Sequence, residues 1–271
     1  MLIRIISSII LFPLLFSLVL FGGIGLKIGT IFSSIVGMYE FYRAFSINKK
    51  PIVYIGYIFS IIYIVFIDII INESHIFNIF VSIYIITLII YMVIFHNRIN
   101  IIDVFITFFG YFYISFLISH IYLIREYDYG IYIVWISFIC AWGCDTGAYF
   151  TGVAIGKHKL IPSLSPKKTI EGSIGGIVLA TIIGFIYGNI IDKYFILEDV
   201  NIILVCCITC LVGSVLAQIG DLVASAIKRY TNIKDFGKLI PGHGGIIDRF
   251  DSVLLTAPVV YYLMLLLTRF S

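Results

Sequence analysis

The sequence predicts an all-α, polytopic integral membrane protein of about nine transmembrane helices, and three observations predict this fold class. Hydrophobic residues make up 61% of the 271 residues and charged residues only 12%, whereas soluble domains have roughly 45–50% and 25%. The mean hydropathy is +1.10, which implies more apolar surface than a soluble globule of this length buries. Finally, the apolar residues fall into continuous runs that are about as long as a membrane-spanning helix, roughly 20 residues.

The apolar runs give the helices in chain order. Their approximate bounds are 5–22, 24–42, 51–72, 77–96, 101–123, 130–151, 173–191, 201–226 and 252–270. Eight or ten spans are alternatives, because only Gly22 and Gly23 separate the first two runs. The N-terminus, where Arg4 precedes an apolar run, resembles a signal peptide, but no small-residue cleavage site follows. An uncleaved first helix is therefore expected.

The basic residues are distributed unevenly between the two sides of this topology. With nine spans, fourteen of the 18 Lys and Arg fall on the side that holds the N-terminus and the connections near 43–50, 97–100, 152–172 and 227–251. Connections rich in Lys and Arg stay in the cytoplasm, so this side is expected to be cytoplasmic. The net charge of +3 is too small to indicate a nucleic-acid partner.

The polar residues divide the chain into two regions. Residues 1–130 are predicted to be N-terminal transmembrane anchor helices, and residues 131–271 a C-terminal catalytic region, because most chemically useful side chains lie between 140 and 251. The five cysteines lie in apolar runs. The pair Cys140 and Cys144 could ligate a metal ion, but small packing residues are the favoured interpretation.

Two acids lie where lipid should exclude them. Asp145 and Asp221 fall near the same predicted end of the sixth and eighth spans. A carboxylate within a span costs about 2.5–3.5 kcal/mol, so each is a functional candidate, with a helix-end acid that reaches interfacial water as the alternative. Asp221 also shares one helical face with Gln218, Ser225 and Lys228. Asp221, Ser225 and Lys228 follow Gln218 by three, seven and ten residues, and these spacings place side chains on the same side of a helix. Both acids are expected to face one cytoplasmic site.

Two basic segments flank these acids. In the segment 228–251, basic side chains could hold phosphates, and Asp248 and Asp251 place two oxygen ligands on one face of the ninth helix, which suits Mg²⁺. Acids that favour a helix N-terminus are the alternative. In the segment 152–172, Lys167 and Lys168 precede a Gly-rich span. This arrangement predicts a phosphate clamp at a helix N-terminus, or simply a positive anchor on the inner side.

At these residues the sequence resembles the phosphatidate cytidylyltransferase family, also called CDP-diacylglycerol synthases. Every fixed position of the family's C-terminal signature is met, by Ser225, Lys228, Arg229, Lys234, Asp235, Gly237, Ile240, Pro241, His243, Gly244, Gly245, Asp248, Arg249 and Asp251. The segments 145–149 and 165–172 resemble the family in the same order. The resemblance covers about residues 140–255. Residues 1–130 match only as a hydrophobic anchor, with Glu40-Phe-Tyr-Arg43 a weak echo of a family segment.

The resemblance implies that CTP and phosphatidate, a membrane lipid, react to give CDP-diacylglycerol and pyrophosphate. It implies a Mg²⁺ site formed by Asp221, Asp248 and Asp251, with K⁺ beside it, and a homodimer. The expected catalytic residues are Asp221, Asp248, Lys228, Arg229 and His243. The expected substrate-binding residues are Asp145, Ser165, Lys167, Lys168, Thr169, Ser225, Lys234, Gly244, Gly245 and Arg249.

Two alternatives come from other classes of protein. A CTP-dependent kinase of a polyprenol or another lipid alcohol would also combine an anchor with nucleotide and metal sites. A transporter or channel would use Asp145 and Asp221 along its pathway, but it would distribute acids across the membrane depth. The absence of a visible internal repeat also weakens the transporter interpretation.

Overall fold

The computed structural model describes residues 2–194, 201–239, 242 and 244–269, and most of these residues are helical. The α-helices are α1 (Leu2–Phe21), α2 (Gly23–Ala44), α3 (Val53–Val65), α4 (Ile67–Asn72), α5 (Ser74–Ile94), α6 (Ile101–Gly110), α7 (Leu117–Glu126), α8 (Gly130–Phe138), α9 (Cys144–Ile155), α10 (Ile170–Ile191), α11 (Ile202–Tyr230) and α12 (Ile247–Arg269). Strands β1 (Lys159–Ile161) and β2 (Ser165–Thr169) form an antiparallel hairpin. The all-α prediction is confirmed apart from this hairpin, which was not predicted from the sequence.

The described residues contain six helical segments that are long and apolar enough to cross a membrane, so the predicted count of nine is not confirmed. These segments are His75–Ile94, Ile101–Glu126, Gly130–Ile155, Ile170–Tyr194, Ile202–Tyr230 and Ile247–Leu266. The run 51–72 fails because the helix breaks at Phe66, which leaves the shorter α3 and α4. Helix α2 is 22 residues long but carries Lys27, Glu40 and Arg43. Of α1, only the shorter stretch Phe12–Phe21 qualifies as an apolar helix.

Side-chain caps determine where several helices begin. The Oδ1 of Asn100 accepts a hydrogen bond from Asp103 N at 2.9 Å, and the Oδ2 of Asp103 accepts one from Asn100 N at 3.0 Å, so α6 begins with a capping box. Asn201 caps α11 in the same position by accepting from Leu204 N at 3.0 Å. Between α1 and α2, Gly22 and Gly23 adopt φ values of 62° and 56°, which glycine adopts readily and other residues rarely do.

Two long spans contain π-helical turns. Residues Tyr111–Phe116 join α6 to α7, and residues Ile139–Gly143 join α8 to α9. A π-turn accommodates an extra residue, and such turns are frequent at functional sites because they re-orient the side chains that follow. The second π-turn lies directly before Asp145.

Small residues allow the C-terminal helices to pack closely. Every fourth residue of α10 is buried and small, namely Gly172, Gly176, Ala180, Gly184 and Gly188. A Cβ atom at Gly184 would lie 2.5 Å from Sγ of Cys210 in α11, and one at Gly176 would lie 2.9 Å from Sγ of Cys144 in α9. The cysteines therefore pack against a glycine-rich stripe, as small residues at membrane helix interfaces commonly do.

Contacts between connections that are distant in sequence gather them at one end of the helical bundle. Arg43, at the end of α2, donates from Nη2 to Phe236 O at 2.5 Å. Arg229, at the end of α11, donates from Nε to Leu164 O in the hairpin turn at 3.3 Å. Three basic connections thus share one end of the molecule, namely 43–50, 152–172 and 227–251.

We expect Gly184→Ala to destabilise the protein, because the added methyl group has no space beside Cys210. Overpacking of this kind costs about 1–3 kcal/mol of the free energy of unfolding. Gly25→Ala in α2 is the matched control, since the nearest atom to its added methyl would be 3.9 Å away. Thermal unfolding in detergent measures both, and equal melting temperatures for the two variants would contradict the packing described for α10 and α11.

Candidate active site

The polar face of α11 begins at a buried amide that holds three helices together. The Nε2 of Gln218 donates to Ser173 O at 3.0 Å and to Sγ of Cys144 at 3.2 Å, and Ser173 Oγ donates to the Oε1 of Gln218. Gln218 is buried, and its polar atoms are paired as burial requires. The bonds fix α9, α10 and α11 relative to one another at the level where the candidate site starts.

One turn further along α11, Asp221 forms an ion pair with Lys168 of strand β2. About a quarter of each side chain is exposed, so both groups are accessible to solvent or a ligand. Arg229 fastens the turn of the same hairpin through Leu164 O. The hairpin, which also carries Ser165 and the exposed Lys167, therefore lies along the polar face of α11.

The base of the hairpin is organised by hydrogen bonds around the start of α10. Thr169 is buried and caps α10, because its Oγ1 accepts from Gly172 N at 3.1 Å. Glu171 pairs with Nδ1 of His158 at 2.6 Å and accepts from the N–H of Lys157 at 3.1 Å. The structure thus gives Thr169 a capping role in addition to the substrate-binding role expected from the sequence.

Asp248 connects the end of α11, the loop 231–246 and the start of α12. Its Oδ1 forms an ion pair with Nζ of Lys228 at 3.1 Å, and its Oδ2 accepts from the N–H groups of Phe236 at 2.8 Å and Gly245 at 2.9 Å. Its side chain is only 5% exposed. Gly244 has a φ of 87°, and a Cβ atom there would lie 2.8 Å from Oδ2 of Asp248, so glycine is required at that position.

A cavity of about 440 Å³ joins this polar region to an apolar region. At its polar end lie Asp145, Asp248, Arg249 and Asp251. Its other walls are mostly apolar side chains of α1, α2, α7 and α8, including Phe12, Leu15, Leu18, Leu26, Ile118, Ile121 and Phe138. The cavity is therefore amphiphilic, with charged groups at one end and hydrocarbon along the remainder.

Three acids from three helices act on one another, namely Asp145 and Asp251 at the polar end of the cavity and the nearby Asp221. Asp221 interacts electrostatically with both Asp145 and Asp251, and Asp145 also interacts with Asp251. Lys168, Lys228 and Arg249 supply positive charge to the same group. The structure thereby brings together acids from α9, α11 and α12 that are up to 106 residues apart in the sequence.

The remaining candidates lie around this group. Ser225 is on the same helix as Asp221 and Lys228, one turn from each, and it is partly buried. Lys234 is exposed in the loop 231–246. His243, together with Ile240 and Pro241 of the signature, lies outside the described residues.

The site residues are suited to a hard divalent cation. In the described part of the chain, no three His, Cys, Asp or Glu side chains are grouped so that they alone would hold a metal ion. Mg²⁺ does not need such a group, because it commonly binds one or two carboxylates and completes its shell with water and substrate phosphate. The mutual repulsion of Asp145, Asp221 and Asp251 would be relieved by a cation, so the donor set fits Mg²⁺.

Two residues of α2 also belong to this region, although the sequence indicates them only faintly. Oε2 of Glu40 accepts from Ile247 N at 3.1 Å, and Arg43 reaches the backbone of Phe236. The only sequence signals are the weak family echo in this segment and an acid within an apolar run. Glu40 is just 3% exposed, so it is more deeply buried than Asp221, of which about a quarter is exposed.

The fold and the site together define a helical membrane protein with a phosphate-compatible, cation-compatible site at one end. The chain matches the family described as the cytidylyltransferase family over residues 2–267, and it belongs to this family. It is 42% identical over 147 residues to the phosphatidate cytidylyltransferase of Bacillus subtilis (strain 168), which covers 53% of this chain and 51% of that protein. It is 41% identical over 136 residues to the protein of the same name from Staphylococcus aureus (strain COL), half of each chain.

The chain spans about half the length of the curated relatives that it matches. The family resemblance based on the signature is confirmed by these matches. They establish the family of the chain, and the assignment of an individual residue to a step of a reaction depends on the geometry of the site.

The contacts predict that Asp221 and Asp248 differ in their importance for stability. Asp248→Asn removes the charge that Lys228 and two N–H groups share, so we expect a loss of about 1.5–3 kcal/mol of the free energy of unfolding. Asp221→Asn removes an ion pair with Lys168, in which about a quarter of each side chain is exposed, so it should cost at most about 1 kcal/mol. Thermal unfolding in detergent separates the two variants. An unchanged melting temperature for Asp248→Asn would contradict the role of Asp248 in joining the loop 231–246 to α11 and α12.

Proposed function

We propose that this protein is a phosphatidate cytidylyltransferase, which converts CTP and phosphatidate into CDP-diacylglycerol and pyrophosphate in phospholipid biosynthesis. The observation that carries the proposal is the amphiphilic cavity. A substrate with a charged headgroup and hydrocarbon chains matches a cavity with Arg249 and three acids at one end and apolar walls elsewhere. The names of the relatives from Bacillus and Staphylococcus support the same activity.

The chemistry asks for positioning and charge compensation more than for proton transfer. A phosphate oxygen of phosphatidate forms a bond to the α-phosphorus of CTP, and the bond from that phosphorus to the bridging oxygen breaks, releasing pyrophosphate. The attacking oxygen is already ionised, so a strong general base is unnecessary. The barrier is the repulsion between two polyanions, which preorganised cationic side chains lower. Lys167 and Lys168 on the hairpin and Lys228, Arg229 and Arg249 around α11 and α12 are placed for this task.

Three carboxylates are proposed to hold Mg²⁺, namely Asp221, Asp248 and Asp251. Bound there, Mg²⁺ would neutralise negative charge on the phosphates of the nucleotide. Asp248 has its Oδ2 committed to two N–H groups of the loop and its Oδ1 paired with Lys228, so Oδ1 would exchange Lys228 for the metal ion. Asp145, from the neighbouring helix, adds negative charge to the same region. The K⁺ ion and the homodimer implied by the family resemblance stay predictions.

The proposed orientation follows from the substrates. Phosphatidate stays in the bilayer while CTP is a soluble nucleotide, so the site belongs at a membrane interface on the cytoplasmic side of a bacterial inner membrane. The basic connections gathered at the site's end of the bundle support this placement. If α1, α2 and the broken pair α3–α4 each cross the membrane, the total becomes nine spans.

Product analysis tests the proposal. Purified protein in detergent, given CTP and phosphatidate, should form CDP-diacylglycerol and release pyrophosphate only when Mg²⁺ or a similar ion is present. Full activity in excess chelator would reject the metal role. Release of CDP with phosphorylation of a lipid alcohol would support the kinase alternative. Solute flux in proteoliposomes without CTP, and without lipid turnover, would support a transporter.

The acids and the lysines should differ kinetically. Asp221→Asn keeps the size of the side chain but removes a charged ligand, so turnover should fall by about 10²-fold or more. Lys167→Ala or Lys168→Ala should mainly raise the KM for CTP, because these side chains compensate phosphate charge. Raising CTP should restore part of the rate of a lysine variant, whereas raising Mg²⁺ and CTP together should not restore Asp221→Asn. Near wild-type turnover of Asp221→Asn would displace the metal site from α11.

The apolar wall of the cavity should affect only the lipid substrate. Leu18→Trp places a larger side chain in the cavity, so the KM for phosphatidate in mixed micelles should rise by about tenfold while the KM for CTP stays unchanged. Leu20→Trp on the same helix is the matched control, because Leu20 is 36% exposed and does not line the cavity. Equal KM values for the two variants would argue against lipid binding along α1.

A further inference from the structure

We propose that Glu40 of α2, assisted by Arg43, is a positioning residue of the active site: it holds the first turn of α12, and with it Asp248 and Asp251, in the geometry that binds the metal ion. This inference rests on the proposed function. It assigns a role in the site to a helix of the N-terminal anchor.

The carboxylate of Glu40 accepts hydrogen bonds from the backbone at the start of α12. Its carboxylate is 3% exposed, and Oε2 accepts from the N–H of Ile247 at 3.1 Å. The N–H of Ile246 also bonds to this carboxylate. Ile247 is the first residue of α12, and the N–H groups at a helix start have no partner within the helix. Glu40 therefore caps α12 from a position 207 residues earlier in the chain.

The charge of Glu40 fits this role. A buried carboxylate is costly unless hydrogen bonds compensate it, and the positive end of a helix macrodipole together with two N–H donors supplies that compensation. The capped residue directly precedes Asp248, and Asp251 lies one turn later. A shift of this cap would move both acids.

The loop 231–246 packs closely against the carboxylate of Glu40. A Cβ atom at either Gly237 or Gly245 would overlap the carboxylate of Glu40. Two points of the loop, at Gly237 and Gly245, therefore approach Glu40 closely, and they can do so only as glycines. Gly245 was expected to bind substrate. In the structure, the group that approaches Gly245 is Glu40.

A continuous set of hydrogen bonds leads from α2 to the site. Arg43 lies one turn after Glu40 and donates to the carbonyl of Phe236, while the N–H of the same residue donates to Asp248. The ring of Phe236 is buried and lies 5.6 Å from Nζ of Lys228. Arg43 and Asp248 therefore both hydrogen-bond to the backbone of Phe236, Arg43 at its carbonyl and Asp248 at its N–H.

A purely structural role for Glu40 is the competing explanation, and Asp103 provides the control for it. Asp103 is another buried acid in the N-terminal helices, 2% exposed. It forms an ion pair with Lys50 at 2.6 Å and caps α6 through Asn100. Both of these partners lie outside the loop and α12. Asp103→Asn therefore perturbs the anchor to a similar degree without changing the cap of α12.

The experiment compares the full-length wild type with Glu40→Gln, Arg43→Met and Asp103→Asn in detergent. One readout is the Mg²⁺ dependence of CDP-diacylglycerol synthesis at saturating substrates. The other is the binding of Mn²⁺ to the protein without substrates, followed by electron paramagnetic resonance. A glutamine accepts with one oxygen and presents an N–H group to the second donor, so Glu40→Gln should weaken both by about tenfold or more. Arg43→Met should shift both in the same direction by about threefold. Asp103→Asn should lower the melting temperature and leave both unchanged.

The outcomes are distinguishable. If Glu40→Gln folds and its Mg²⁺ and Mn²⁺ dependences stay within about twofold of wild type, the inference is wrong. If Glu40→Gln does not fold, Arg43→Met decides, since Arg43 is exposed, and unchanged metal dependence there overturns the inference. If the wild type binds Mn²⁺ but forms no CDP-diacylglycerol, the proposed function fails, while weaker Mn²⁺ binding by Glu40→Gln still supports the inference. A wild type that does not bind Mn²⁺ overturns it.

Discussion

The site depends on one physical constraint: a charged group surrounded by apolar helices must have a partner. Each pairing joins different elements of the fold. Asp221 in α11 finds Lys168 in the hairpin, and Lys228 at the end of α11 finds Asp248 in α12. Glu40 finds the backbone at the start of α12. Because the surroundings are apolar, these few contacts determine how the hairpin, the loop and three helices meet.

The N-terminal helices do more than anchor the protein. α1 and α2 form much of the apolar wall of the cavity, and the C-terminal end of α2 contacts the loop 231–246 through Arg43. The division of the chain at residue 130 into anchor and catalytic regions describes where the chemically distinctive residues lie in the sequence. In three dimensions the site uses both regions.

Local periodicity explains which features could be predicted. The polar face of α11 was predictable, because a spacing of three, seven and ten residues has one geometric meaning on a helix. The hairpin was not, since β2 consists of Ser165, a proline and three polar residues, and its pairing depends on neighbours from α10 and α11. The number of spans is not confirmed, because an apolar run does not reveal a helix break such as the one at Phe66. The contact of Glu40 with α12 requires knowledge of long-range packing that a single sequence does not contain.

The ion pair between Lys168 and Asp221 has a consequence for how ligands arrive. The two side chains serve as counterions for each other when no ligand is present. A cation drawn to Asp221 leaves Lys168 without its partner, and an anion drawn to Lys168 leaves Asp221 without its own. Each ligand therefore bears the cost of separating the pair if it binds alone, whereas two ligands of opposite charge share that cost. By thermodynamic linkage, each should increase the affinity for the other by the same factor. For the proposed reaction, this exchange of partners would favour binding of nucleotide and metal ion together over binding of either one alone.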